Sequence, residues 1–429
     1  MTGAEGSAVE LGNARDQERP AGQLTENSAQ PPVGLYVHVP FCVSICPYCD
    51  FVVYAGADAR GPRNRIESLV DALVVEIELR AATDGADPVR RPLSTVYLGG
   101  GTPSLLPGAT LDRILEAVRT SFGIAGGAEV TLEVNPGPDE RGDPVVQAQA
   151  GVTRLSIGAQ SFSPTELKRL GRRHSPNDIG LALIAAREAG IASINLDLLY
   201  DVPGQTLGSW SDSLERAVGL DPDHVSLYAL TLDDPDAEGL TGPGGDHLSP
   251  TAGARRWRER AMPEQDEDRA AAMYHLAGQR LAEAGFRGYE LSNWAQPGQE
   301  SLHNLGYWER RSTEAVGPGA HAFDGRARRW NAARLDGYVA ALRPSGGGAG
   351  ALPPGGSELI DPTTAAAETV ILGLRLDQGV PLTTLLEPPF VDAFDWAVAA
   401  GLVEETDGAR VRLTTRGRLL SNELFARLI

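Results

Sequence analysis

Leu35-Tyr36-Val37-His38-Val39-Pro40-Phe41-Cys42-Val43-Ser44-Ile45-Cys46-Pro47-Tyr48-Cys49 decides how this chain is read. Its first five residues form an apolar, β-type run, and its last eight hold all three cysteines of the 429-residue chain. A disulfide framework would leave one thiol over, with nothing else in the chain to pair. Thiolates gathered at CxxxCxxC spacing suit a metallocentre instead. A [4Fe–4S] cube has four irons, so three cysteines leave one iron open to a ligand that the protein does not supply. The competing reading is a zinc ion held by Cys42, Cys46 and Cys49, with His38 as the fourth ligand. The triplet favours iron–sulfur, and both readings stay open on these residues alone.

Composition narrows the setting. A formal charge of −19 and an acidic isoelectric point argue against a phosphate-backbone partner, so nucleic acid is not expected. Residues 1–32 are rich in Gly, Ala, Glu, Gln and Pro and have no apolar h-region, which reads as a disordered arm and not as a signal peptide. No apolar run approaches the roughly 20 residues that span a bilayer, so no integral membrane segment is expected. Thiols kept together, with no export signal, fit the reducing cytoplasm.

Outward from the cysteines, apolar β-type segments alternate with helical patterns. The expected strands are Leu35–Val39, Thr95–Leu98, Glu129–Val134, Arg154–Gly158, Ser193–Leu199 and His224–Leu230. Ile66, Leu69, Val70, Leu73, Val74 and Ile77 follow helical spacing. Thr110 is expected to cap a helix with Leu111, Ile114, Leu115 and Val118 on one face, and another helix is expected at Asp178–Glu188. Such alternation predicts an α/β fold of parallel strands with helices outside, a partial (β/α)6 TIM-like barrel.

Each of the first four strands ends in unusual chemistry: the cysteines, Gly99-Gly100-Gly101-Thr102-Pro103, Glu133-Val134-Asn135-Pro136 and Gln160. Asp197 lies within the fifth strand, ahead of Pro203-Gly204-Gln205-Thr206. The C-terminal mouth of a barrel is where sites are built, so these residues are expected to converge there. Consecutive glycines let backbone approach a ligand and leave amides free to bind it. Glu133, Gln160 and Asp197 would serve ribose hydroxyls or an ammonium group, although each alone is as readily a structural hydrogen-bonding residue.

Farther along, Asp233 to Asp268 mixes acidic residues with Gly-Pro-Gly-Gly and Arg255-Arg256-Trp257-Arg258, and reads as a solvated loop that covers the mouth. A helix follows from Asp268 to Gly285. A Gly/Pro-rich linker is expected over 344–358. The tail reads as helices near Thr363–Leu374 and Val391–Ala399, a hairpin turning at Asp407-Gly408 and a final helix Thr415–Leu428. Acidic residues interleaved with the tail's arginines speak against a DNA-tracking face.

Tyr-Val-His-Val-Pro-Phe-Cys-x3-Cys-x2-Cys, Gly-Gly-Gly-Thr-Pro, Gly-x-Gln-Ser-Phe and Pro-Gly-Gln-Thr together resemble the radical S-adenosylmethionine (SAM) family that holds oxygen-independent coproporphyrinogen III oxidase and the heme chaperones. The similarity runs from about Gly34 to the C-terminus, apart from two loop insertions. It implies that Cys42, Cys46 and Cys49 hold the cluster and that SAM chelates its open iron. Tyr36, Tyr48, Gly100, Gly101, Thr102, Glu133, Gln160, Arg172, Asp197 and Ala229 would line the SAM site. It also implies a division into the arm (1–32), the radical SAM barrel (33–232), a connecting segment (233–343), the linker (344–358) and a helical, winged-helix-like C-terminal domain (359–429). No catalytic residue is named by the resemblance.

Two features separate the branches of that family. The oxidase motif has a further cysteine two positions on, where this chain has Phe51. His303-Asn304-Leu305-Gly306-Tyr307-Trp308 matches the HNxxYW element of the chaperones. By itself that segment reads as interdomain core with a locally bonded histidine. The resemblance instead implies heme contact, with His303 as axial ligand and Tyr307 and Trp308 flanking the macrocycle. The expected function is thus a heme carrier that delivers to heme-accepting proteins such as respiratory enzymes, and the alternative is SAM-dependent decarboxylation of coproporphyrinogen III.

Overall fold

The computed structural model of the chain describes residues 30–56, 65–83, 91–232, 236, 238–242, 244–343 and 350–429. Most of the expected arm, part of the linker and parts of the acidic loop lie outside those residues.

The six expected strands are present as β1 (Gly34–Val39), β2 (Leu93–Gly100), β3 (Ile124–Val134), β4 (Arg154–Gln160), β5 (Ser193–Tyr200) and β6 (His224–Ala229). All five of their successive pairings are parallel. Helices Ile66–Thr83, Gly108–Ser121, Pro144–Ala150, Pro176–Glu188 and Leu207–Gly219 provide the crossovers. Side chains alternate along each strand, and here the alternation separates two chemistries. Leu35, Val37 and Val39 of β1, with Val96 and Leu98 of β2, point outward under helix residues Leu69, Leu73, Ile77, Ile114 and Leu115, all fully buried. The opposite positions, among them Tyr36, His38, Thr95, Tyr97, Glu133, Ser156 and Asp197, share the inner face. The barrel therefore has an apolar jacket around a polar lumen.

The sheet is wider than the sequence suggests. The strand Thr313–Val316 pairs parallel with β1 and adds a seventh parallel member. His321–Phe323, Ala327–Asn331 and Gly355–Leu359 extend that edge in antiparallel fashion, and Asn293–Ala295 pairs antiparallel with β6 at the other. These strands are three to five residues long and several carry charged residues, so they show no apolar run. The expected linker also ends early: Gly355–Leu359 are laddered to Ala327–Asn331.

Three further expectations change. The helix carrying Leu111, Ile114, Leu115 and Val118 starts at Gly108 behind Pro107, so Thr110 is not its cap but lies in the first turn, its hydroxyl donating to the Pro107 carbonyl at 2.6 Å. The stretch read as a solvated loop contains a helix, Ala252–Ala261, with Arg258 only 5 % exposed. The final helix is two, Thr415–Leu419 and Ser421–Leu428. The tail has its own core of Val370, Leu374, Phe394, Val411 and Leu424 under a small sheet containing Val403–Thr406 and Arg410–Leu413.

Candidate functional site

The thiols sit where β1 leaves the barrel, at the C-terminal end of the strands. Cys42, Cys46 and Cys49 are free and half-buried. Burial pushes the Cys42 thiol up to about 11 and Cys49 upward as well. Thiolates there need donors or cations, and the surroundings supply them. Thr102 Oγ1 donates to Cys42 Sγ at 3.4 Å and Arg172 Nη1 points at Cys46 Sγ from 3.7 Å. Asn135 bridges the two, its Nδ2 donating to Thr102 Oγ1 at 2.9 Å while its Oδ1 accepts from Arg172. From outside the barrel, Arg258 donates to the carbonyls of Cys49 at 3.0 Å and Tyr48 at 3.3 Å, and Trp257 stands beside the Tyr48 ring. An arginine network thus holds the loop from both sides.

The zinc reading loses its fourth ligand. His38, the expected fourth zinc ligand, has both nitrogens engaged: Nδ1 with Tyr36 Oη at 2.9 Å and Nε2 with the Val52 carbonyl at 2.8 Å. Burial lowers it to about 4, so it is a neutral strand histidine.

The glycine turn departs from expectation. The amides of Gly100, Gly101 and Thr102 are not free but donate to Glu133 Oε2, the Val39 carbonyl and the Phe41 carbonyl, at 2.9, 2.9 and 2.8 Å. Gly100 has φ +105°, and a Cβ there would stand 2.3 Å from the His38 ring; at Gly101 it would meet Phe41 backbone at 2.8 Å. Packing against β1 requires these glycines before any ligand does.

Glu133 is half-buried on the inner face, accepting also from Tyr97 Oη at 2.9 Å, and desolvation raises its carboxyl to about 7 despite those bonds. Gln160 closes β4 with φ +63°, beside Arg172. Asp197 is deeper than expected. Its carboxylate is held by Asn195 Nδ2 at 2.8 Å and Ser156 Oγ at 3.1 Å, and burial raises its pKa. Ala229 is exposed at the end of β6. Cys42, Cys46, Thr102 and Arg172 are therefore brought together, with Gln160 beside Arg172, whereas Asp197 belongs to a lumen network.

His303 lies at the opposite end of the barrel. The helix Leu302–Trp308 is held by Ser301 as cap and by Glu129 of β3, whose carboxylate accepts from the amides of Leu302 at 2.9 Å and His303 at 3.0 Å. His303 is 4 % exposed, stacked on Tyr97 with ring centroids 5.2 Å apart. Its Nδ1 meets Thr95 Oγ1 at 2.8 Å and its Nε2 meets Tyr307 Oη at 3.0 Å. Burial and the Arg154 charge lower it to about 3. Tyr307 is 38 % exposed, and Trp308 lies under the Arg375 guanidinium. The sequence places Asn135 in a strand-end stretch and Arg258 in an arginine patch without pointing either at the thiols, and Arg154, the first residue of β4, gives no signal of its own.

Comparison with known proteins accounts for both halves. The Radical SAM superfamily model matches residues 36–217 and the HemN C-terminal domain model matches 360–420. Heme chaperone HemW of Mycobacterium tuberculosis (strain H37Rv) is 39% identical over 93% of this chain and 95% of its own length. Heme chaperone HemW of Escherichia coli is 36% identical over 68% of this chain and 70% of its own. The solved structure of E. coli coproporphyrinogen III oxidase (HemN) superposes with a TM-score of 0.75 at 22% identity, over 93% of this chain and 90% of that one, a likeness of fold. Identity at this level along nearly the whole length settles the lineage: the chain belongs to the HemW heme-chaperone family of the radical SAM superfamily.

Proposed function

We propose that the protein carries heme for delivery to heme-accepting proteins, such as respiratory enzymes, in the cytoplasm, and that it does so with a [4Fe–4S] cluster and SAM at one end of its barrel. The observation that carries the cluster is the convergence of Thr102, Asn135 and Arg172 on the thiols of Cys42 and Cys46. Cys42, Cys46 and Cys49 hold the metals, and the bound pair of groups would supply one-electron chemistry. Tyr36, Tyr48, Gly100, Gly101, Thr102, Glu133, Gln160, Arg172, Asp197 and Ala229 form the SAM site, where Glu133 receives ligand hydroxyls in place of Tyr97. Heme is taken up at the HNLGYW helix. Similarity to relatives named heme chaperones supports that cargo.

The alternative, coproporphyrinogen III decarboxylation, finds less support. The likeness to the oxidase is at the level of fold, and Phe51, 64 % exposed beside the thiol loop, occupies the position of the oxidase's further cysteine. Anaerobic reconstitution followed by heme titration, with a parallel assay of coproporphyrinogen III consumption, tests both. Stoichiometric heme uptake without SAM-dependent turnover is expected; turnover on the order of one per second would reverse the choice.

A further inference from the structure

The HNLGYW helix presents its two candidate iron ligands very differently. His303 is inside the barrel, with one nitrogen on Thr95 and the other on Tyr307. Tyr307 is the exposed partner and lines a cavity of about 390 Å³ between this helix, the strands His321–Phe323 and Ala327–Asn331, and the helix Pro362–Arg375. Trp308, Phe323, Ile371 and Leu372 give that cavity apolar walls. Its rim holds Arg310, Arg311 and Arg328, with Glu368 binding Arg310 and Arg328. Arg311 also pairs with Glu309 at 2.5 Å and Arg328 with Glu358 at 3.7 Å, so two propionates would exchange places with carboxylates already on these arginines, above flat apolar walls that suit a porphyrin.

Resting on the heme assignment above, we propose that Tyr307 is the iron ligand of the cargo and that His303 is a positioning residue behind it. A phenolate is an established axial ligand for ferric heme. The exchange is balanced without any redox partner: the Tyr307 oxygen bonds to ferric iron as an iron–hydroxide bond breaks, and the phenol proton leaves with the hydroxide as water. The neighbours already fit both states. With the His303 proton on Nδ1, Tyr307 O–H donates to Nε2 and Nδ1–H donates to Thr95 Oγ1, which fits the two contacts in the free protein. Because a hydroxyl can donate or accept, Thr95 can turn and donate to Nδ1, placing the histidine proton on Nε2 to face the phenolate with no charge on the ring. Orienting a ligand oxygen through a buried imidazole is the usual work of an outer partner at a metal site. As ligand through Nε2, His303 would have to give up Tyr307 and open its buried position to the cavity.

Ferric hemin titrated into the anaerobically reconstituted full chain, read by resonance Raman, separates the two assignments. The wild-type complex should show iron–phenolate modes. Tyr307→Phe, which keeps the ring against His303, should lose them and bind hemin at least about tenfold more weakly, while cluster content stays at the wild-type level. His303→Ala and the milder His303→Gln should keep the phenolate modes, with affinity lowered by about ten- to a hundredfold. Absence of those modes from a wild-type hemin complex overturns the proposal, as does a wild-type spectrum in Tyr307→Phe; His321→Ala then tests the other imidazole of the cavity. A wild-type chain that takes up no hemin overturns the heme assignment itself.

Discussion

At the scale of the residue, the thiol loop is specified by side chains far from it in sequence. Arg258 is 5 % exposed and spends its donors on the carbonyls of the cysteine loop. Arg258→Met keeps the bulk and removes those donors, so iron and sulfide per chain after reconstitution should fall well below wild type while the melting temperature of the unreconstituted protein changes by a few degrees at most. Alanine at any of Cys42, Cys46 or Cys49 should abolish the cluster outright, since each substitution removes an iron ligand; zinc without iron in the anaerobically purified wild type would contradict it. At Gly100 a side chain strikes the His38 ring and meets a left-handed backbone, so Gly100→Val should cost about 3 kcal/mol or more in folding stability, a loss visible without any ligand. Glu133 gives the pH dependence. Its folded carboxyl is raised from 4.5 to about 7, so between those values the native state keeps a proton that the unfolded chain has released. Stability should therefore decline as pH rises through that window and level off above it. Glu133→Gln, measured by denaturant titration across the window, should flatten the slope.

Among the elements, those with the clearest repeating pattern were legible in advance. The six barrel strands and the helix Val391–Ala399 announce themselves through apolar runs or helical spacing, because each buries a whole face. The edge strands do not, since three residues such as His321–Phe323 carry too little pattern and owe their shape to a neighbour's ladder. The same holds for Ala252–Ala261, whose arginine-rich composition hid one buried guanidinium among solvated ones. The candidate site divides similarly. Cysteine spacing marks Cys42, Cys46 and Cys49 as the proposed metal ligands and the HNLGYW motif marks the Leu302–Trp308 segment, but nothing local to His303 shows that β2 and β3 supply Thr95, Tyr97 and Glu129 around it. Glu129 is the element's external anchor. Glu129→Gln should weaken that seven-residue helix by about 1 kcal/mol, seen as faster amide exchange over residues 302–305 with the barrel strands unaffected.

Over the whole molecule, the C-terminal domain does more than follow the barrel. Its helix Pro362–Arg375 supplies Glu368, Ile371 and Leu372 to the cavity beside Tyr307, and Arg418 ties it back through the Glu290 carbonyl at 2.9 Å. Ending the chain after residue 359 should therefore remove hemin binding while the thiol loop, built wholly from the barrel and Arg258, still assembles its metals; loss of both together would mean that the domain is needed for folding. The placement of the two sites has a further consequence. Thr95, which touches His303, and Gly100, which bonds Glu133, are five residues apart on β2, roughly 17 Å of extended strand. With SAM and heme bound as proposed, the two guests would sit at opposite ends of the barrel, with Tyr97 and Glu133 between them. Any influence between those guests would run through Tyr97, stacked on His303 and bonded to Glu133, as a coupling free energy. Such coupling is reciprocal, so whatever factor SAM imposes on hemin affinity, hemin must return to SAM.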